Sequence, residues 1–383
     1  MWLITRLMRP NVGGLGWAAH SEAGYLYRVE FDGINGLRSA IDHSLASFFD
    51  RESTYLGRVG SELEPVSDAL GHFLLDSGKR LRPLFAAIGH IGAGGEITPE
   101  SITALSALEL VHVCALIHDD VMDCSDTRRG APSIHRQFEN LHQEQSLHGS
   151  AEQFGIASAI LLGDLALIWA AKMLHESGMS PKYILQALPV YDEMRVELMA
   201  GQYLDIYEQA FASESVERSL KVARYKSGKY SIERPLHFGA ALAPAAMPDV
   251  YSTYSNYGLP LGEAFQLRDD VIGVFGDPAQ TGKPAGDDLR EGKRTVLIAS
   301  TLNKVSTSQR EIFEKYFGRA DLDITGVHTL QEIIVETGAL ARVEALIEEM
   351  TFNAHQALIS GEIAPMAKQM LDQMAVAATK RTA

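Results

Sequence analysis

The amino-acid sequence predicts an all-α fold, a large single-domain bundle of many helices. From Ile34 onward, apolar residues recur at three- and four-residue spacing through most of the chain, the period of a helix with a buried face. Strict two-residue alternation bounded by hairpin turns is scarce, so little argues for strands. Ile102–Leu116 and Ile156–Trp169 are apolar nearly all round, as helices in the middle of a bundle are.

Residues 1–30 are Gly-rich without sustained periodicity and read as a loosely ordered extension, ahead of a domain at 31–383. Periodicity places helices at Ile34–Phe49, Leu56–Leu75, Arg82–Ile91, Pro99–Met122, Phe154–Ser177, Lys182–Ile206, Val216–Tyr230 and Ile232–Ala241. Further ones follow at Ser252–Val274, Thr295–Val305, Ser308–Phe317, His328–Thr337, Ala339–Ser360 and Pro365–Ala378. Ser77-Gly78, Gly94-Gly95, Ser177-Gly178 and Thr281-Gly282 before Pro284 punctuate them, as helix-ending residues do. The polar span Gln137–Gln153, with His142 and His148, reads as a surface loop. No Pro/Gly/Ser-rich linker divides the middle and no internal repeat is evident.

With 383 residues, 46% hydrophobic and 22% charged, the chain has ample material for a core. A net charge of −15 argues against nucleic acid as a partner, because phosphate backbones attract basic faces. Cys114 and Cys124 are the only cysteines; two make neither a disulfide framework nor a Cys-rich zinc site, and a reducing compartment fits. The most membrane-like stretch, Ile156–Met173, is interrupted by Asp164 and Lys172, so no membrane span is expected. Met1–Arg9 lacks the uninterrupted apolar core of a signal peptide. A cytoplasmic protein is expected.

Two acidic clusters stand out, Asp119-Asp120-Val121-Met122-Asp123 and Asp269-Asp270-Val271-Ile272-Gly273. Carboxylates this close repel one another unless a cation joins them, and hard oxygen ligands that leave room for phosphate suit Mg²⁺. Asp119 and Asp123 are four apart, on one helical face; Asp120 points about a quarter-turn away. A solvated acidic helix end is the plain alternative, but negative charge there opposes the helix dipole and the preceding turns are apolar. In the second cluster Gly273 stands where a same-face carboxylate could follow Asp269, and Gly273 with Gly276-Asp277-Pro278 looks like helix termination. Basic residues gather at Lys79, Arg80 and Arg82, at Arg128 and Arg129, at Lys226 and Lys229, and at Lys283, Lys293 and Arg294. Arg forks and Lys ammoniums grip phosphate oxygens. A diphosphate cage is the chemistry these groups imply.

The chain resembles the trans-isoprenyl diphosphate synthases, the family of farnesyl and geranylgeranyl diphosphate synthases. The motifs run in the family's order: Gly78-Lys79-Arg80-Leu81-Arg82-Pro83, His118-Asp119-Asp120-Val121-Met122-Asp123, Thr127-Arg128-Arg129-Gly130, Leu162-Gly163-Asp164, Gly201-Gln202-Tyr203-Leu204-Asp205, Lys226-Ser227-Gly228-Lys229, Phe265-Gln266-Leu267-Arg268-Asp269-Asp270 and Gly282-Lys283-Pro284. The resemblance implies the isoprenoid-synthase type of bundle, with a central apolar cavity. It implies that Asp119, Asp123 and Asp269 ligate three Mg²⁺ ions on an allylic diphosphate, with Asp120 and Asp270 in support. Arg128, Lys226 and Lys283 would hold that diphosphate. Lys79, Arg82, His112 and Arg129 would hold isopentenyl diphosphate, and Gln202, Asp205 and Gln266 would line the reacting centre. A homodimer is the family's expectation.

The reaction so implied is Mg²⁺-dependent head-to-tail condensation of isopentenyl diphosphate with dimethylallyl, geranyl or farnesyl diphosphate. The growing chain should run along the apolar face before Asp119, one prenyl unit of about 5 Å to each helical turn. Ala115 and Cys114, one turn back, are small, so growth should pass the C15 stage, with Val111 and Leu108 as deeper floors. Geranylgeranyl diphosphate (C20) is the expected product; farnesyl and longer products are the alternatives. A class I terpene cyclase would need a different second motif and no second diphosphate site. An HD-type phosphohydrolase, suggested by His118-Asp119, would need further His ligands. A non-catalytic partner subunit would show damaged acidic clusters, and both are intact here.

Overall fold

The computed structural model describes residues 33–380, other than 77, 245–247 and 278–285. The predicted N-terminal extension and the Gly282-Lys283-Pro284 motif lie outside the described residues. In chain order the helices are α1 (Gly33–Val59), α2 (Glu64–Leu75), α3 (Leu81–Gly92), α4 (Pro99–Met122), α5 (Ile134–Glu144), α6 (Ala151–His175), α7 (Pro181–Phe211) and α8 (Val216–Val222). A π-helical segment (Ala223–Glu233) leads into α9 (Arg234–Ala241) and α10 (Pro248–Phe275). The remainder is α11 (Asp287–Glu291), α12 (Val296–Leu302), α13 (Thr307–Tyr316), α14 (Ile324–Glu336), α15 (Ala339–Ser360) and α16 (Pro365–Thr379).

The all-α expectation holds, and α4 begins and ends where its periodicity places it. Thr98 caps it: its hydroxyl accepts from the Ser101 amide at 3.2 Å, and the Ser101 hydroxyl accepts from the Thr98 amide at 2.9 Å. Pro99 follows at the first helical position, where a missing N–H costs nothing. α4 packs chiefly against α6, and α10 against α15 and the π segment. The described residues form two hydrophobic cores, and α10 joins them. Its Tyr254, Tyr257 and Leu261 belong to the larger core, while Leu267, Val271 and Val274 belong to a second one built with α12 and α14.

Four sequence readings need correction. The expected loop Gln137–Gln153 is largely helical: α5 buries Ile134, Phe138 and His142 on one face, and polar residues on the other hid the period. Leu56–Leu75 is not one helix, because α1 runs to Val59 and a 3₁₀ turn, Ser61–Leu63, precedes α2. A short antiparallel hairpin pairs Thr127–Arg128 with Ala131–Pro132. Its turn, Arg129-Gly130, has positive φ at both residues (55° and 78°), the form that matches strand twist and favours Gly. Finally, α4 and α6 are both long and apolar enough to cross a membrane, since two charges do not interrupt α6. The apolar window of α4 is 72% buried, whereas that of α6 is only 39% buried.

Thr98 stands ~30 Å along α4 from Asp119 at about 1.5 Å per residue. Thr98→Ala should therefore lower the unfolding free energy by about 1 kcal/mol in a urea titration and leave turnover unchanged; an altered turnover would mean the cap reaches the site.

Candidate active site

The end of α4 presents Asp119 and Asp123 to groups from four other elements. From α7, Gln202 Nε2 donates to Asp119 Oδ1 at 2.9 Å. From the π segment, Lys226 Nζ lies 3.0 Å from Asp119 Oδ1 and donates to Asp205 Oδ2 of α7 at 2.6 Å. From the hairpin, Arg128 Nη2 lies 3.7 Å from Asp119 Oδ2. From the segment after α11, Lys293 Nζ sits 3.2 Å from Asp123 Oδ2, off hydrogen-bond geometry. It also lies 2.7 Å from Glu291 and 3.6 Å from Asp288.

The electrostatics divide the two carboxylates. Burial works against the charge on Asp119, but Lys226, Lys293 and Arg128 outweigh it and hold the carboxyl well below the ordinary range. Asp123 is pushed up to about 6, first by burial and then by Asp119 and Glu291, against the pull of Lys293 and Lys226. The lysines respond in kind. Burial opposes their charge, yet the surrounding carboxylates raise both Lys226 and Lys293 above the ordinary lysine value. Such a cluster is short of positive charge at Asp123.

A second cationic pocket adjoins the first around His112 of α4. His112 Nδ1 and the Tyr230 hydroxyl are 2.9 Å apart. Arg82 stacks over the Tyr230 ring at 4.6 Å and donates to Ser231 Oγ at 2.7 Å. Arg129 stacks over Phe73 at 5.4 Å and donates to its carbonyl at 3.1 Å. Burial first, then Arg82, Arg129, Arg128 and Arg80, drives the His112 pKa well below its ordinary value. His112 is thus neutral at neutral pH, and Arg82 and Arg129 beside it form a site for an anion.

The sequence-predicted residues fall into place unevenly. Asp119, Asp123, Gln202, Asp205, Lys226 and Arg128 converge, and Arg82, His112 and Arg129 form the second pocket. Asp120 does not face the cluster. It is fully buried, and its Oδ1 accepts from Arg128 Nε at 2.9 Å, so it anchors an arginine instead. Gln266 Nε2 donates to Asp270 Oδ1 at 2.7 Å, and Asp270 is raised well above its ordinary pKa by burial and then Asp288. Lys229 turns away to Glu197 and Glu233. Lys283 lies outside the described residues.

The expected termination holds, since α10 ends at Phe275, directly before Gly276. A Cβ at Gly273 would fall 2.0 Å from Asp288 Oδ2. The carboxylate missing from the second cluster is therefore supplied by Asp288 of α11, and glycine is what admits it. Sequence reasoning gave no role to Asp288, Glu291 or Tyr230 and noted Lys293 only as one of a basic group; the acidic–basic alternation of Asp287–Lys293 was the available signal. Along α4, Cys114 is fully buried, its sulfur 3.7 Å from His118 Nδ1, and its thiol is pushed up to about 12 by burial and then Asp164. Ala115 is only partly buried, on the Asp119 face, while Val111 and Leu108 are core residues.

Comparison with known proteins identifies the family. The family model for polyprenyl synthetases matches residues 64–334. The chain belongs to that family, and it is a trans-prenyltransferase. Among its relatives, a geranylfarnesyl diphosphate synthase of Aeropyrum pernix is 34% identical over 73% of this chain and 82% of its own. A geranylgeranyl diphosphate synthase of Sulfolobus acidocaldarius is 30% identical over 68% of this chain and 74% of its own. Among solved structures, a geranylgeranyl pyrophosphate synthase of Corynebacterium glutamicum, complexed with isoprenyl diphosphate and magnesium, superposes with a TM-score of 0.86. It is 39% identical and covers 91% of this chain and 99% of its own.

Lys293→Met would leave Asp123, Glu291 and Asp288 without their shared cation. Unfolding free energy should fall by about 3 kcal/mol in urea titration, as when one partner of a buried pair is removed; an unchanged midpoint would show the cluster to be screened by solvent.

Proposed function

We propose that the chain condenses isopentenyl diphosphate with allylic diphosphates and releases geranylgeranyl diphosphate. The observation that carries this is the pair of adjoining sites, an acidic cluster on Asp119 and Asp123 that is short of positive charge and a cationic pocket around His112. A cyclase handles a single diphosphate and has no use for the second. The relatives named as C20 synthases support the product, and the small, partly buried Ala115 leaves the path beyond C15 open.

The residues fit magnesium. The donors are carboxylate oxygens, the hard ligands this ion takes, and the raised Asp123 carboxyl marks a place where added positive charge is stabilising. Among the described residues no three Asp, Glu, His or Cys side chains group closely enough to hold an ion alone, so diphosphate oxygens complete the coordination. Asp119, Asp123 and Asp269 would hold three ions, which neutralise charge on the departing diphosphate.

Lys226, Arg128 and Lys283 bind the allylic diphosphate, and Lys293 adds its charge beside Asp123. Lys79, Arg82 and Arg129, with neutral His112, bind isopentenyl diphosphate. As the allylic C–O bond breaks, its electron pair leaves with diphosphate, and the isopentenyl double bond attacks the resulting cation. A proton then leaves the adjoining carbon to the departing diphosphate, restoring a double bond. Gln202, Asp205 and Gln266 line this centre. The apolar face of α4 excludes water that would quench the cation.

A homodimer completes the assembly. α6 exposes Ile160, Leu161 and Ile168, and α7 exposes Leu185, Val196 and Met199. Side chains of this kind, clustered, mark an interface, and a second copy offers the matching face. Two unpaired cysteines fit a cytoplasmic setting.

Incubated with Mg²⁺, isopentenyl and dimethylallyl diphosphates, the protein should yield a C20 main product; farnesyl diphosphate as the end product would reject the proposed length. Ala115→Phe should shorten the product by one unit, and an unchanged length would place the floor elsewhere. In light scattering the chain should run at twice its mass, and Leu161→Glu combined with Ile168→Glu should yield monomers. A wild-type monomer would remove the interface.

A further inference from the structure

Arg80 stands between Lys79 and Arg82 and caps α3, yet it faces neither pocket. Its backbone is left-handed (φ 51°, ψ 34°), a conformation uncommon outside glycine. Its side chain is 3% exposed, too enclosed to reach a bound substrate. Nε donates to Asp42 Oδ1 of α1 at 2.7 Å, and Nη1 donates to Glu109 Oε1 of α4 at 2.9 Å. Gly78 is part of the same lock: a Cβ there would lie 2.7 Å from Arg80 Nη1 and 3.3 Å from Glu109 Oε1. The guanidinium is folded beneath the backbone that leads into Lys79.

We propose that Arg80 is a positioning residue for isopentenyl diphosphate: Asp42 and Glu109 hold its guanidinium, and the guanidinium holds the left-handed turn that sets Lys79 and Arg82 beside the second pocket. The inference rests on the assignment of that pocket to isopentenyl diphosphate. Two features favour it over simple core packing. A left-handed, non-glycine residue persists only where its surroundings over-determine it, and here two acidic residues from two other helices do so. The turn also joins a residue of the pocket directly, since Arg82 lies two positions on and reaches Ser231 and Tyr230. A charge-conserving replacement should keep part of the lock, because lysine offers the cation without the fork.

The test is steady-state kinetics with each substrate varied in turn. Arg80→Gln should raise KM for isopentenyl diphosphate about tenfold and leave KM for the allylic diphosphate within about twofold, with Arg80→Lys between it and wild type. Gly78→Ala, which displaces the guanidinium from Glu109 while keeping every charge, should show the same selective rise. It serves as the test if Arg80→Gln does not fold. A lowered melting temperature with both KM values unchanged, or both KM values rising together, would overturn the proposal. Lys79→Ala and Arg82→Ala separate the two levels of the reading. If they leave KM for isopentenyl diphosphate unmoved, the pocket assignment itself fails; if they raise it while Arg80→Gln and Gly78→Ala do not, the positioning role alone fails.

Discussion

Asp119 and Asp123 stand one turn apart at the end of a helix whose preceding turns are buried, and their repulsion has to be met by cations from elsewhere in the chain. No cation on α4 itself can do this, so Lys226, Arg128 and Lys293 come from the π segment, the hairpin and the segment after α11. Each depends on its own local device. Arg128 is oriented by buried Asp120, and Lys293 by Glu291, which also accepts from Ser125 Oγ at 3.0 Å. The balance is incomplete by design of the site: Asp119 is held charged, while Asp123 is left with a raised pKa. That unmet requirement for positive charge is the one the proposed magnesium would answer.

Backbone proximity does the rest of the assembly. A Cβ on Gly201 would lie 2.2 Å from the Lys226 amide nitrogen, so α7 and the π segment meet backbone to backbone. That contact sets Gln202 and Lys226 on the same carboxylate. The wider i→i+5 turn of the π segment then aims Lys226 at Asp119 and Tyr230 at His112, both on α4. One short element thereby joins the acidic cluster to the cationic pocket around His112.

Much of this was legible in the sequence, for definable reasons. An apolar run opened by a cap and a proline, as at Thr98-Pro99, declares its limits, and α4 matches the pattern; α15 keeps its expected bounds on apolar periodicity alone. Carboxylates four apart on a helix declare a shared face. What stayed hidden depends on tertiary placement. Asp288 shares a site with α10 through chain reversal, and only the space at Gly273 records it. The quarter-turn that sets Asp120 apart from Asp119 was legible, but its partner, Arg128 of the hairpin, was not. α5 was missed because its four buried residues sit among polar neighbours.

The same helix that carries the first acidic pair also carries the proposed ruler for the product, and the structure separates two residues that sequence treats alike. Cys114 and Ala115 are neighbours, both small, and both one turn before the cluster. A helix places them about 100° apart. Cys114 turns to His118 and the α6 side, where its thiol is sealed and a larger side chain would strain packing. Ala115 lies four before Asp119, on the same helical face, and keeps partial exposure. Under the proposed function, bulk at Ala115 would meet the growing chain, whereas bulk at Cys114 meets protein. Control of length and retention of the diphosphate would then be fixed to one rigid element, so their spacing would not depend on how other helices move.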